Sequence, residues 1–212
     1  MTDTRTPYRF AGVLYLVTHV TSVVAVILYG SSALDTRAAL ADRPSVITGA
    51  LLEVVLALAI VGTGVVLYPL LRRAAPTLAA SYTALRTLEA SVILVGVVTI
   101  LPTVARPAAR GGSGVTPDVT AALHLVHDWT FLVGPGLVAP VHTAVLATLL
   151  LRHRMVPRWI PLLGLTGALV TTTHNLALLY GLMTPIAVSA LPIFLWEISL
   201  AVHLIVRGLH GG

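Results

Sequence analysis

The sequence predicts an all-α, polytopic membrane bundle of about six transmembrane helices in a single domain covering residues 1–212. Of the 212 residues, 57% are hydrophobic and only 10% are charged, and the mean hydropathy is +0.94. A soluble domain is far less apolar. The apolar residues also form long runs separated by short segments rich in Pro, Gly and Arg. Six runs of about 20 residues, the length needed to cross a bilayer, use nearly the whole chain.

Prolines and charged residues mark the ends of the predicted helices. The run from Phe10 to Tyr29 exceeds the roughly 7 to 15 apolar residues of a signal-peptide core, so we interpret it as a retained first helix. The second span follows Pro44 and stops at Arg72, and the third follows Pro76. The predicted spans are approximately 8–30, 45–71, 78–104, 118–151, 157–180 and 185–207.

The fourth span is predicted to be broken or kinked. A loop from Ala105 to Gly114 precedes Thr116 and Pro117, which are typical of a helix N-cap and first helical position. The helix then runs for about 34 residues, or about 50 Å, which is too long for one straight crossing of a core about 30 Å thick. Proline removes a backbone donor and glycine loosens adjacent turns, so Gly134-Pro135-Gly136 is the expected break.

Arginine distribution predicts the orientation of the bundle. With the N-terminus inside, eight arginines flank the spans on the cytoplasmic side: Arg5, Arg9, Arg72, Arg73, Arg152, Arg154, Arg158 and Arg207. Four lie on the other side: Arg37, Arg43, Arg106 and Arg110. The positive-inside rule therefore favours both termini in the cytoplasm.

Composition excludes several kinds of chemistry. The chain has no cysteine, which removes disulfides, thiolate metal ligands and cysteine nucleophiles. It has no lysine for a Schiff base, because all thirteen basic residues are arginine. These arginines are dispersed at helix ends, which argues against nucleic-acid binding. Abundant Ala, Arg and Gly without Lys indicate a GC-rich bacterial genome, and hence the bacterial cytoplasmic membrane.

Five ionisable residues lie inside the predicted spans. They are Glu53, Arg86, Glu89, Asp128 and Glu197. A charge at a helix centre costs about 2.5 to 3.5 kcal/mol on insertion scales, and such residues usually face the bundle interior. Counting residues from the helix ends places all four acids near the midplane, so we expect them to converge. Arg86 lies one turn from Glu89 on the same helical face.

The acids allow two interpretations. One is a buried ion-pair network in which Arg86 bridges two carboxylates and fixes helix packing. The other is a polar cavity for a ligand, proton or substrate, which we favour because one arginine cannot neutralise four carboxylates.

Histidines accompany the acids and raise the question of a metal. His124, His127 and Asp128 share one face of the fourth helix at i, i+3 and i+4. Completed by Glu53 or Glu89, this set has the ligand types of a zinc or iron site. A hydrogen-bonded helical histidine is commoner than a metal ligand, so we predict no cofactor and keep the metal as an alternative.

Further residues are candidates for lining a pocket. His19 shares a stripe with Gly12, Tyr15 and Ser22, and His174 shares one with Gly164, Gly167 and Thr171. Such stripes are typical of close helix contacts, and either histidine can also face a cavity. Trp129 and Trp196 each adjoin a membrane acid and can form its apolar wall. With Arg86 and His127, they complete the predicted ligand-binding set.

Several stretches resemble bacterial membrane proteins grouped as the domain of unknown function DUF4386. The resemblance covers nearly the full chain and rests on Arg9–Tyr15, Gly49–Glu53, Tyr82–Glu89, Asp128-Trp129, Val156–Ile160, Pro192–Glu197 and Leu204–Gly208. It implies a multi-helix membrane fold and draws attention to the five membrane ionisable residues, but it implies no reaction. His124 and His127 depart from the family pattern, which leaves a metal as a peculiarity of this chain.

The leading functional hypothesis is a pocket for a small or lipid-like molecule. Glu53, Glu89, Asp128 and Glu197 would bind this ligand or act as acids and bases, since apolar surroundings make a carboxyl group hold its proton more tightly. One alternative is a proton-coupled transporter with a hinge at Gly134-Pro135-Gly136. The other is a structural or regulatory subunit whose acids serve packing. The pattern does not indicate an oligomeric state.

Overall fold

The computed structural model describes residues 5–30, 42–104, 115–184 and 186–209. Its helices are α1 (Thr6–Tyr29), α2 (Arg43–Leu71), α3 (Pro76–Val104), α4 (Pro117–Val133), α5 (Ala139–Arg152), α6 (Trp159–Leu179) and α7 (Leu191–Val206). A π-helical turn at Gly134–Val138 joins α4 to α5, and a 3-10 turn at Ala187–Ala190 precedes α7. The predicted loop residues Arg37, Arg106 and Arg110, the loop Ala105–Gly114 and the predicted sixth-span start at Pro185 lie outside the described residues.

Within the described residues, six helical stretches are long and apolar enough to cross a bilayer. The fourth stretch, Pro117–Arg152, contains α4, the π turn and α5, and the last is Val188–Val206 with 19 residues. At 1.5 Å per residue the last stretch is about 28 Å long, close to the thickness of a hydrocarbon core. The chain is therefore an all-α membrane protein, which confirms the predicted fold class.

The predicted break of the fourth span is a π-helical turn. Pro140 has no N–H to donate to the carbonyl of Gly136, its partner four residues earlier in an α-helix. The side-chain Nδ2 of Asn175 on α6 donates to that carbonyl at 2.8 Å instead. The N–H of Ala139 reaches back five residues to the carbonyl of Gly134, which is the π pattern. These two bonds satisfy the carbonyls of Gly134 and Gly136, as a bilayer interior requires.

Sequential hairpins and one closing contact define the bundle. α1, α2 and α3 pack side by side, α4 packs on α3, and α5 packs on α3 and α6. α7 closes the bundle against α1 and α6. Gly164 of α6 allows close approach of α7, because a Cβ atom there would lie 2.7 Å from the ring of Trp196. This closure places α7 beside the polar residues of α1 and α3.

The two ends of the described chain lie at the same end of the bundle. A Cβ atom on Gly208, just after α7, would lie 3.1 Å from the ring of Tyr8 in the first turn of α1. An even number of crossings requires this arrangement. Which end faces the cytoplasm remains a prediction from the arginine distribution.

Candidate functional site

Arg86 lies at the centre of a buried polar cluster between α2, α3 and α7. Its side chain is 2% exposed. Its Nε donates to Thr63 Oγ1 on α2 at 2.9 Å. Its Nη1 lies 3.3 Å from both Glu89 Oε2 on α3 and Glu197 Oε1 on α7. The Arg86–Glu89 pair has the i, i+3 spacing read from the sequence, and Glu197 joins it from a helix 111 residues later.

His142 of α5 also belongs to this cluster, in addition to Thr63, Glu89 and Glu197. Its Nε2 lies 2.9 Å from Glu89 Oε2, and the side chain is buried. Because an ionised carboxylate only accepts hydrogen bonds, the imidazole Nε2–H donates to Glu89. The sequence alone did not mark His142, since its partner is 53 residues away on another helix.

Two tyrosines form a polar layer beneath Arg86. The hydroxyls of Tyr15 on α1 and Tyr82 on α3 are hydrogen-bonded to each other, and Tyr82 donates to Thr63 Oγ1 at 3.5 Å. The guanidinium carbon of Arg86 lies 5.3 Å from the centroid of the Tyr15 ring, within range of a cation–π interaction. Sequence reasoning missed Tyr82 and Thr63 as members of the site, because neither carries a charge that stands out in an apolar run.

His19 of α1 faces Glu197 across a short gap. Its Nδ1 lies 2.8 Å from the carbonyl oxygen of Tyr15, so Nδ1 carries the hydrogen and donates it. Its Nε2 lies 3.6 Å from Glu197 Oε2. The ring of Phe194, on α7, makes an edge contact with His19 at a centroid distance of 4.5 Å.

A cavity of about 190 Å³ lies above this cluster. Its polar side is formed by Arg86, Glu89, Glu197 and His19, with Thr18 and Ser22 nearby on α1. The remaining wall is apolar, and it is made by Val23, Leu56, Ile60, Ile93, Pro135, Ala139, Ala190, Ile193 and Phe194. The cavity therefore combines a small number of convergent polar groups with an apolar enclosure, as ligand sites generally do.

The four predicted acids do not converge on one site, which corrects the expectation from residue counting. Glu53 is fully buried away from the Arg86 cluster, with both carboxylate oxygens 3.2 Å from Nε2 of His127 on α4. The Asp128 side chain is 55% exposed and lies 3.7 Å from His127 Nδ1. Counting along a helix gives the depth of a residue but not the direction in which it points, and Asp128 points outwards.

Apolar packing separates the Glu53–His127 pair from the Arg86 cluster along α2 and α3. Leu56 and Ile60 follow Glu53 on α2, and Ala90 and Ile93 follow Glu89 on α3. These four side chains pack together as one buried cluster. Among the described residues, the bundle thus contains two distinct buried acid–histidine centres, of which the Arg86 cluster borders the cavity.

The histidines and acids of α4 are not gathered as a metal site. His124 Nε2 lies 3.1 Å from Thr103 Oγ1 on α3, while His127 turns to Glu53. The Thr103 hydroxyl donates to the carbonyl of Ile100, so it accepts from His124. Within the described ranges, no three His, Asp or Glu side chains are arranged to hold a metal ion.

The other predicted pocket residues divide between lining and packing positions. Arg86 and His19 line the cavity. Trp196 is buried in the core against Gly164, and Trp129 is 47% exposed on the outside of α4. His174 Nε2 accepts from the backbone N–H of Ile186 at 3.4 Å, and so ties the segment before α7 to α6. These last three residues lie outside the cavity lining.

Comparison with known proteins identifies a family. A family model described as Domain of unknown function (DUF4386) matches residues 10–208. No curated protein and no solved structure matches the chain. The matched range contains all the ionisable residues of both buried centres, and the family description assigns no activity. The chain belongs to the DUF4386 family, which confirms the resemblance read from its sequence.

Proposed function

We propose that this protein binds a small or lipid-like molecule in the cavity between α1, α3 and α7, within the bacterial cytoplasmic membrane. The observation that carries the proposal is the combination of an apolar wall with the Arg86, Glu89, Glu197 and His19 side chains in one cavity of about 190 Å³. A packing network alone has no need of an open-sided cavity lined by charged groups, because helix interiors normally fill to high density.

The size and position of the cavity suit one end of an amphiphile. An apolar cavity of about 150 Å³ is large enough for benzene, so this one accommodates a polar group and the first part of a chain or ring. Val23 and Ala190, at the wall between α1 and the start of α7, are exposed on the surface of the bundle. The remainder of a longer ligand would extend between these helices towards lipid.

The same cavity offers acid–base chemistry as an extension of binding. Glu197 and His19 lie at its edge and can exchange a proton with a ligand, while Glu89 and His142 form a second acid–imidazole pair behind them. Glu53 and Asp128 lie elsewhere, so the proposal gives them no role in this cavity.

Proton-coupled transport is the second candidate. Pro135, within the π-helical turn, forms part of the cavity wall, and π turns in helices are frequent at functional sites. A change in that turn would alter the cavity directly. This candidate predicts proton flux into liposomes when substrate is supplied, whereas a binding protein or enzyme produces none.

Native mass spectrometry of protein released from its own host membrane tests the proposal. We expect a reproducible mass beyond the polypeptide, lost in Glu197→Gln and retained in Asp128→Asn. The second variant is a matched control, because it makes the same acid-to-amide change on the outer face of α4. Bare polypeptide in all three samples would favour transport or a packing role. An adduct insensitive to Glu197→Gln would place the ligand outside this cavity.

A further inference from the structure

We infer that Glu53 is a proton-binding site that exchanges protons with the outer side of the membrane through His127 and Asp128. The inference goes beyond the proposed function, because these three residues are not part of the cavity lining. It follows from an imidazole held between a buried and an exposed carboxylate, from the depth of this centre in the bilayer and from the apolar packing that separates it from the cavity.

His127 lies between two carboxylates of opposite exposure. Its Nε2 is 3.2 Å from both oxygens of Glu53, which is fully buried. Its Nδ1 is 3.7 Å from Oδ1 of Asp128, whose side chain is 55% exposed. An imidazole can take up a proton on one ring nitrogen and release another from the second. The arrangement therefore allows a proton to pass between the exposed and the buried carboxylate.

The transfer balances without a further reactant. It starts from a protonated Asp128, an ionised Glu53 and a neutral His127 with its hydrogen on Nε2. Asp128 gives its proton to Nδ1, and the imidazolium gives the proton on Nε2 to Glu53. Asp128 is then ionised, Glu53 is protonated and His127 is neutral again, and release follows the same steps in reverse. A water molecule can bridge the 3.7 Å between Asp128 and Nδ1.

Tyr29 of α1 adds a buried hydroxyl to this centre. Its ring lies against His127, with ring centroids 5.2 Å apart. A Cβ atom on Gly49, one turn before Glu53 on α2, would lie 2.7 Å from the same ring. The hydroxyl is buried without a hydrogen bond of normal geometry, and Glu53 is the charged group that acts on it. The centre therefore offers an additional donor and acceptor beside the carboxylate that takes up the proton.

The other neighbours of His127 do not interrupt the path. α3 faces the imidazole with Gly96, which has no side chain, and the ring of Phe131 covers it from α4. His124, one turn earlier on α4, is bonded to Thr103 instead. Among the described residues, the titratable groups around His127 are Glu53 on α2, Tyr29 on α1, and His124 and Asp128 on α4.

The depth of the centre places its exposed end at a membrane surface. Gly96 packs against His127 and lies 20 residues after the first residue of α3. At 1.5 Å per residue this is about 30 Å, the thickness of the hydrocarbon core. Arg72 and Arg73 lie just before α3 and mark the opposite surface. Asp128 therefore lies at the boundary that the arginine distribution places outside, where it can exchange protons with water.

Apolar side chains close the path towards the cavity. Leu56 and Ile60 of α2 pack with Ile93 of α3 on the inner side of Glu53, and all three also line the cavity. A proton on Glu53 therefore leaves by the route through which it entered. Chains of Asp, Glu and His side chains form the proton relays of membrane pumps and transporters, and this one opens to a single side.

Time-resolved infrared spectroscopy of the full chain in liposomes tests the relay. The carbonyl band of a protonated carboxyl group that disappears in Glu53→Gln reports on Glu53. A static titration first gives the midpoint of this band for each variant. A light-released proton then lowers the pH through that midpoint, and the rise of the band measures the rate at which Glu53 takes up a proton.

We expect His127→Gln to slow this rise by about 100-fold or more, the usual contribution of a positioned acid or base. The glutamine amide can still bond to Glu53, but it cannot relay a proton. His124→Gln is the matched control, because it makes the same change one turn away on a residue bonded to Thr103. It should keep the wild-type rate.

Asp128→Asn should also slow the rise, because an amide does not pass a proton to Nδ1 of His127. This variant changes an exposed side chain, so it decides the question even if His127→Gln folds poorly. A wild-type rate in Asp128→Asn would overturn the entrance, and equal slowing in His127→Gln and His124→Gln would overturn the relay. A Glu53 band that does not titrate between about pH 4 and about pH 9 would overturn the proton site itself.

Discussion

Arg86 is the residue on which the polar centre depends. It joins α2, α3 and α7 through Thr63, Glu89 and Glu197, and all of these contacts lie inside an apolar bundle. Partners of a buried charge cannot be replaced by water there. Removing the guanidinium would therefore leave two carboxylates in a medium that strongly disfavours them.

We predict that Arg86→Met lowers the free energy of unfolding by about 3 to 5 kcal/mol, the usual cost of breaking a buried ion pair. The triple variant Arg86→Met, Glu89→Gln, Glu197→Gln should recover much of this loss, because it removes the unpaired charges as well. Trp fluorescence during unfolding in detergent measures the free energy of unfolding of the single and the triple variant. Arg73→Met, at an exposed position, is the control and should change stability by less than about 0.5 kcal/mol. A triple variant no more stable than the single one would show that charge burial is not the cause.

At this scale the sequence predicts some members of the site and not others. The acids, Arg86 and His19 stand out because ionisable groups are rare in apolar runs. His142 and Thr63 do not, since their importance comes from partners 53 and 23 residues away. Asp128 was expected in the interior but is exposed, because depth in a helix does not determine its rotation about the axis.

The interrupted fourth span is the element that most directly connects fold to cavity. Proline and glycine spacing predicts where the helix breaks, and the structure shows a π-helical turn at that place. The sequence does not predict that Asn175 would satisfy the Gly136 carbonyl, because this contact depends on how α6 packs on the turn.

We predict that Asn175→Ala destabilises the protein by about 0.6 to 1.7 kcal/mol, from the average to the largest value measured for interhelical hydrogen bonds in a membrane bundle. Pro140→Ala restores an N–H four residues after Gly136, so it gives that carbonyl an alternative partner. The double variant should therefore lose less stability than the sum of the two single changes, as measured by a double-mutant cycle of unfolding free energies. Additive losses would mean that the carbonyl is not what couples these residues.

The α6–α7 contact leads to a second prediction for an element. A Cβ atom on Gly164 would lie 2.7 Å from the Trp196 ring, which is fully buried. Gly164→Ala should lower the thermal unfolding temperature, by an amount consistent with about 1 to 3 kcal/mol of overpacking. Gly62→Ala is the matched control, since its Cβ would meet only the side chain of Leu14, whose nearest atom is a terminal methyl group at 2.9 Å that can turn away. A smaller decrease in unfolding temperature for Gly164→Ala than for Gly62→Ala would contradict close packing of α7 on α6.

For the whole molecule, apolar content and the spacing of turn residues are enough to predict six crossings. Each crossing must contain about 20 apolar residues, and this requirement leaves a strong signal in the sequence. The packing of the helices against each other leaves a weaker signal in the sequence, because lipid-facing and core-facing helix surfaces are both apolar. This is why the number of spans followed from the sequence whereas the two separate acid–histidine centres did not.

The orientation of the bundle in the membrane is predicted by the arginine counts. The geometry of the helices alone does not determine it. His153, between α5 and α6, and Leu182, after α6, are exposed and lie at opposite ends of one crossing. The chain has no cysteine, so His153→Cys and Leu182→Cys each introduce a single reactive thiol. With eight flanking arginines on the end of His153 and four on the other, the positive-inside rule places residue 153 in the cytoplasm. In intact cells, a membrane-impermeant maleimide should label residue 182 at once and residue 153 only after permeabilisation. The reverse pattern would place both termini outside, and the cavity between α1 and α7 would then open nearer the cytoplasmic leaflet.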